Sequence, residues 1–242
     1  VTATTNDIRR AGREEGWLPA SEEASHPLAA LDAATVGQGV RLSVELGPRN
    51  RAGARHFRAF LETDELGRTL EPVLTGLHHA GPHPGQNWVE VTDFRGQVPV
   101  AGGDVEIPEA IDVQIVERLA ALVPPGGHLM MEYESAHRRL TSRALAQGVP
   151  PVATPLGGMM FAAGCGVALR DWYTPAGGRE GPRKLQGHRA VDVEHERRRY
   201  PTTLQALERF LEASAELDWD LQVRCRPLAE ATVTVLRSRG LG

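Results

Sequence analysis

Glu132 and Glu134 stand two residues apart at the end of the apolar run Leu129-Met130-Met131. If that run is a strand, alternation puts both carboxylates on one face. A pair so placed can act as a general base toward an amine nucleophile. The plainer reading is a solvated strand end, where carboxylates ordinarily sit. Further along, Trp172 and Tyr173 are adjacent. In a strand they point to opposite faces, one into the core and one toward a ligand. The stretch Gly177-Gly178-Arg179-Glu180-Gly181, leading to Lys184, then joins glycines to charges. Arginine grips a carboxylate or phosphate through two N–H groups, and lysine meets phosphate as a point charge. Trp172, Arg179, Glu180 and Lys184 are therefore candidate substrate contacts, on either an anion-binding lid or a hairpin tip with solvated charges.

Three imidazoles, His78, His79 and His83, cluster in sequence. Zinc takes such ligands with water in a fourth position. His78 and His79 are adjacent, however, and in a strand they diverge, so no metal is expected. The following Gln86-Asn87-Trp88 offers Trp88 as a substrate contact. Cys165 follows the helix-ending Gly164, where the helix dipole opposes a thiolate, so it is not a nucleophile. The basic run Arg197-Arg198-Arg199-Tyr200 lies beside Glu194 and Glu196 and lacks the aromatic interleaving of a nucleic-acid surface.

The elements that must hold these groups are legible in part. Residues 1–35 read as a helical N-terminal segment, with Pro27 in the first turn of a short helix over His26–Asp32. Residues 36–242 read as one α+β domain. Val40–Leu46 alternates apolar with polar, the period of a half-buried strand, and Gly47-Pro48-Arg49-Asn50 signals a turn. His56–Glu62, Leu70–Leu77 and Trp88–Val91 are further strands. Their short connections favour antiparallel neighbours. Ile111, Ile115, Val116, Leu119 and Leu122 recur at helical spacing after Pro108, and Pro124-Pro125-Gly126-Gly127 stops that helix. A strand over Leu129–Tyr133 follows, then a helix over Arg138–Gln147 closed by Gly148. Thr154 caps a short helix with Pro155 at its first position. Gly166–Tyr173 is a strand, Thr202 or Thr203 caps a last clear helix, and Ala231–Leu236 is strand or helix. The fold class is α+β: a mixed, largely antiparallel curved sheet flanked by helices. Met131 and Leu169 are expected side by side in that sheet, with a cleft between them.

Composition narrows the function classes. With 41% hydrophobic and 24% charged residues the chain is ordinary for a soluble globular protein. A formal charge of -4 gives no overall pull toward nucleic acid or anionic membrane. No apolar run approaches the ~20 residues of a membrane span, and the charged first fifteen residues show no secretory leader. A cytoplasmic protein is expected. Its expected partners are a small-molecule substrate and a second copy of the chain in a homodimer, with neither nucleic acid nor membrane.

Met160-Phe161-Ala162-Ala163-Gly164-Cys165 and the following Val167–Tyr173 resemble the closing helix and strand of GNAT acyltransferases. Gly126–Gly187 is also similar to an uncharacterised prokaryotic family of unknown function. The GNAT resemblance implies a CoA-dependent N-acyltransferase acting on an amine, either a small molecule or a peptide. It implies acetyl-CoA or another acyl-CoA along the strand at Met131 and Tyr133, with Arg138 and Arg139 on the cofactor side of the next helix. It gives Glu132 and Glu134 the base role. Tyr173, whose phenol ordinarily ionises near ~10, becomes the acid for the leaving thiolate. The family's Arg/Gln-Xaa-Xaa-Gly-Xaa-Gly/Ala pyrophosphate turn, which meets the anion at a helix N-terminus, precedes neither the helix at Pro108 nor the one at Arg138. Gly102-Gly103-Asp104 puts an acid there instead. Two rivals stand beside this reading. Leu122–Leu129 is similar to a loop-to-strand passage of S-adenosylmethionine-dependent methyltransferases, although the glycine-rich nucleotide turn and the doubly wound sheet are missing. The other rival is a non-catalytic ligand-binding protein on an acyltransferase-like frame.

Overall fold

The structure is a computed structural model that describes residues 16–65, 67–100, 103–132, 136–170, 184–188 and 193–240. β1 (Leu18–Pro19) and 3-10 turns at Ala20–Glu23 and Pro27–Leu31 lead into β2 (Thr35–Gly37), β3 (Val40–Arg49), β4 (Arg55–Thr63), β5 (Gly67–Arg68), β6 (Leu74–His79) and β7 (Trp88–Phe94). A hairpin of β8 (Gln97–Val100) and β9 (Gly103–Glu106) precedes α1 (Glu109–Leu122) and β10 (His128–Met131). Then come α2 (Ala136–Ala146), α3 (Pro155–Ala162), β11 (Gly166–Arg170), β12 (Lys184–His188), α4 (Val193–Ala213) and α5 (Trp219–Ser238). The main sheet runs β1-β3-β4-β6-β7-β10-β12-β11, with β2 on β3 and β5 on β4. β7 and β10 are parallel and the other described pairs are antiparallel. The fold class is therefore α+β with a mixed, mostly antiparallel sheet.

Alternation sorts the two faces of the sheet. Leu42, Val44 and Leu46 of β3 pair with Leu61, Ala59 and Phe57 of β4 on the core face. Val89 and Val91 of β7 and Leu129 and Met131 of β10 continue that face under α1 and α3. Leu28 and Leu31 are buried in the same core. A second apolar cluster joins α2, α4 and α5 through Ala144, Leu207, Phe210, Leu221, Cys225 and Leu236. Cys165 and Cys225 are both buried free thiols. Burial pushes the Cys225 thiol up to about 11, as suits a packing residue.

Several sequence expectations need correction. β3 runs on to Arg49 because a register shift after Leu46 absorbs Gly47 and Pro48. Proline and glycine are tolerated at such irregularities. The turn comes three residues later, where the Asn50 side chain accepts from the Ala52 and Ala54 N–H groups at 3.0 Å. Gly103 and Asp104 lie in β9, paired with Val100 and Pro99, so no anion turn forms there. Thr202 and Thr203 are not caps, since α4 begins at Val193 and continues through Pro201. Tyr200 is buried and packs edge-on against Phe161, which anchors the turn before that proline. Ala231–Leu236 is helical, within α5.

The expected contact between Met131 and Leu169 is replaced by a third strand. Met131 pairs with Leu185, and Leu185 with Leu169. β12 thus stands between β10 and β11, which places them two strand spacings apart, about 9.6 Å. The insertion requires Gly187. A Cβ there would lie 2.8 Å from both Cys165 Cβ and Met160 Cε. Among the described residues, no helix is long and apolar enough to cross a membrane.

Candidate functional site at the end of the parallel strands

β7 and β10 share four register pairs, from Trp88↔His128 to Val91↔Met131. The Glu132 N–H then donates to the Val91 carbonyl at 2.9 Å. Beyond that bond β7 continues along β6, through Asp93↔Thr75 and Phe94↔Leu74. Thr92 is an extra residue in β7, since Val91 and Asp93 pair with the consecutive Gly76 and Thr75. A bulge bends its strand and increases the local twist. The Thr92 hydroxyl meets the Thr75 hydroxyl at 3.4 Å. Glu132 therefore stands, half-buried, beside the point where β7 bends.

The crossover sets the start of α1 at the same end of the sheet, over β2, where Ile111 packs on Gly37. Because β7 and β10 are parallel, α1 must return antiparallel to both, so its first turns lie where the two strands end. Asp112 is there, wholly buried beside Ile115, Val116 and Leu119. Burial, and secondarily Glu109, pushes its carboxyl up to about 8, so it is neutral at pH 7. Glu109 itself meets Arg224 of α5 at 3.2 Å. An acidic first turn is unfavourable ground for a phosphate anion. α2 begins just after β10, with Arg138 and Arg139 in its first turn.

The face opposite the core carries polar groups on the same strands. Glu90 and Met130 are register partners there, next to the Trp88↔His128 pair. Glu90 is only 9% exposed. Trp88 stacks on His79 with ring centroids 5.4 Å apart and planes 12° apart. The His79 ring is held upright by Nδ1 donating to the Gln86 carbonyl at 2.7 Å. Farther along this face Glu45 receives Arg58 Nε at 2.6 Å and Arg68 Nη2 at 2.7 Å. The guanidinium of Arg68 lies 3.5 Å over Phe60, and that of Arg58 lies 4.3 Å over Trp17. Two cations around one buried carboxylate, each on an aromatic ring, form a rigid support beside the site.

The structure brings together some of the residues singled out from sequence. Glu132 follows the last β7–β10 register pair, and Trp88 opens β7 at the other end of that pairing, two residues from Glu90 on the same face. The Met131 side chain is buried in the core, so any ligand contact there falls to its backbone. Arg138, Arg139 and Lys184 are placed by backbone in α2 and β12. Tyr133, Glu134, Trp172, Tyr173, Arg179 and Glu180 lie outside the described residues. The histidine trio is not assembled: His78 turns to the core face, His79 stacks on Trp88, and His83 is exposed before a 3-10 turn. No group of three or more metal-ligating side chains occurs among the described residues. Glu90 and Asp112 escaped the sequence reading. Glu90 lies in a short run whose apolar neighbours fit any strand. Asp112 precedes the apolar face of α1 by three residues, and that spacing was the available signal.

A search of curated proteins finds no match for this chain. Among solved structures it is similar to a protein of unknown function, AQ1966, from Aquifex aeolicus VF5, with a TM-score of 0.56 and 20% identity over 90% of this chain and 98% of that one. At that identity the likeness speaks for the fold alone. The family model for "Protein of unknown function (DUF1122)" matches residues 50–214. Neither description names an acyltransferase. The bulged strand β7, its parallel neighbour β10 and Glu132 lie inside the matched span, and the chain belongs to that family of unknown function.

Proposed function

We propose that the protein is a CoA-dependent N-acyltransferase acting on an amine. The observation that carries this reading is the Thr92 bulge in β7 beside the end of β10, where Glu132 follows the register pair Val91↔Met131. A bulge re-aims the backbone polar groups of an extended strand, and extended backbone suits a linear, amide-bearing arm such as that of CoA. The pyrophosphate would lie at the start of α2, where Arg138 and Arg139 stand, rather than at α1 with its acidic first turn. Glu132 would take the proton from the amine as its nitrogen attacks the thioester carbonyl, and the thiolate would leave with a proton from Tyr173. Glu90, beside Trp88 on the polar face, is a second carboxylate within the same strand pair.

Thermal-shift titration with acetyl-CoA, with S-adenosylmethionine as the parallel arm, tests the reading. Acetyl-CoA at a hundredfold excess over its Kd should stabilise the protein by about 2.7 kcal/mol. A shift with S-adenosylmethionine alone selects the methyltransferase, and no shift with either leaves a non-catalytic binder. Given an acetyl-CoA shift, Glu132→Gln should lower kcat with an acceptor amine by roughly 10²–10⁴-fold while leaving the melting temperature in place. Unchanged turnover in that variant would remove Glu132 from the chemistry.

A further inference from the structure

The chain from Trp17 to Leu31 wraps the β3 edge of the sheet. Trp17 lies on the polar face under Arg58, β1 pairs along β3 through Leu18↔Leu46 and Pro19↔Glu45, and Leu28 and Leu31 enter the core from the other side. Two polar fastenings hold its middle. Glu23 pairs with Arg55 of β4. His26 packs edge-on against His78 of β6, with ring centroids 5.1 Å apart and planes at 71°. His78 is the register partner of Arg55, and Arg55 in turn pairs with Arg49 across the hairpin.

This arrangement tolerates only neutral imidazoles. His26 caps the Pro27–Leu31 turn by accepting the Leu28 N–H at Nδ1, 3.3 Å away, and a protonated Nδ1 cannot accept. His78 is 5% exposed, and the groups facing it are His26 from the wrapping segment, Arg49 from β3, Arg55 from β4 and His79 from its own strand. Among the described residues, Glu23 is the acid in this set, and it is engaged by Arg55. Two imidazolium ions would therefore meet each other and two guanidinium ions around a single carboxylate.

We infer that Trp17–Leu31 is an acid-released clasp: protonation of the His26–His78 pair loosens it from the sheet and uncovers Arg58 and the adjoining polar face. Burial first, and then His26, His79 and Arg49, push His78 down to about 4. Burial likewise lowers His26, with Glu23 opposing. A folded value depressed below 6.5 gives stability that is present above 6.5 and lost as pH falls toward 4. With His78 returning to its ordinary value in the open state, opening should become about 20-fold more favourable between pH 7 and pH 5.

Hydrogen exchange of the full chain, corrected for intrinsic rates, reads this directly. The 18–32 peptides should lose about 20-fold in protection from pH 7 to pH 5, while the β4 and β10 amides hold. His78→Phe keeps an edge-on ring and removes the group that carries the roughly 20-fold change, so it should flatten the pH dependence. His26→Asn keeps a capping oxygen and leaves His78 buried, so it should retain most of the pH dependence. Equal protection at both pH values in the natural chain, or an undiminished pH effect in His78→Phe, would overturn the clasp.

Discussion

Gly76→Ala is expected to destabilise the protein by about 3 kcal/mol or more, near the upper end of overpacking costs. A Cβ at Gly76 would lie 2.2 Å from the Glu90 carbonyl oxygen and 2.8 Å from the Phe57 ring. Neither neighbour can yield cheaply. The carbonyl belongs to the β7 backbone, and Phe57 is among the largest fully buried side chains. Relief requires β6 and β7 to separate beside the bulge, which also moves Glu90 and Trp88. Chemical denaturation measures the loss, and a midpoint within error of the natural protein would show that β7 is free to shift. Ligand binding beside the Thr92 bulge should weaken along with stability.

Asp112→Asn should abolish a steep alkaline loss of stability. The folded carboxyl, raised from 3.8 to about 8, gives stability that is complete below 3.8 and lost as pH rises through about 8. His78 works in the opposite direction between about 4 and 6.5, so the two slopes oppose there. Between pH 6.5 and 8 Asp112 acts alone of the pair. Each pH unit there corresponds to about 1.4 kcal/mol, or roughly 2 kcal/mol over the interval. The Asn variant, uncharged and of the same shape, should lack this slope and be the more stable protein at pH 8. Urea midpoints across that interval decide it. Parallel slopes in both proteins would mean that Asp112 ionises as an exposed carboxylate does.

The sequence reading succeeded where a local rule was enough. The alternation in Val40–Leu46 fixes which residues of β3 face the core, since a pleated strand repeats every two residues. Thr154 and Pro155 mark the start of α3, and the Thr154 hydroxyl accepts the Gly157 N–H at 3.2 Å. The adjacency of His78 and His79 implies rings that diverge in a strand, and the rings do point to opposite faces. Glu132 was placed at a strand end because the apolar run stopped there. None of these inferences needed a residue distant in the chain.

Long-range pairing was not available in that way. Lys184–His188 has one aliphatic residue, Leu185, and a glycine, so it reads as loop. It is a strand because β10 and β11 offer it an edge on each side, and because Gly187 leaves room for Cys165 and Met160. The bulge at Thr92 exists only against β6, where one residue too many must be accommodated. Asp112 is neutral because other elements bury it, and the same aspartate on an exposed helix would be ionised. Sequence alone determined the faces of β3, the start of α3 and the acid at the end of β10, since those follow from the geometry of a few consecutive residues. The tertiary structure decided which strands are neighbours, where β7 bulges, and which charges lose their water, because each depends on chain segments that meet only after folding.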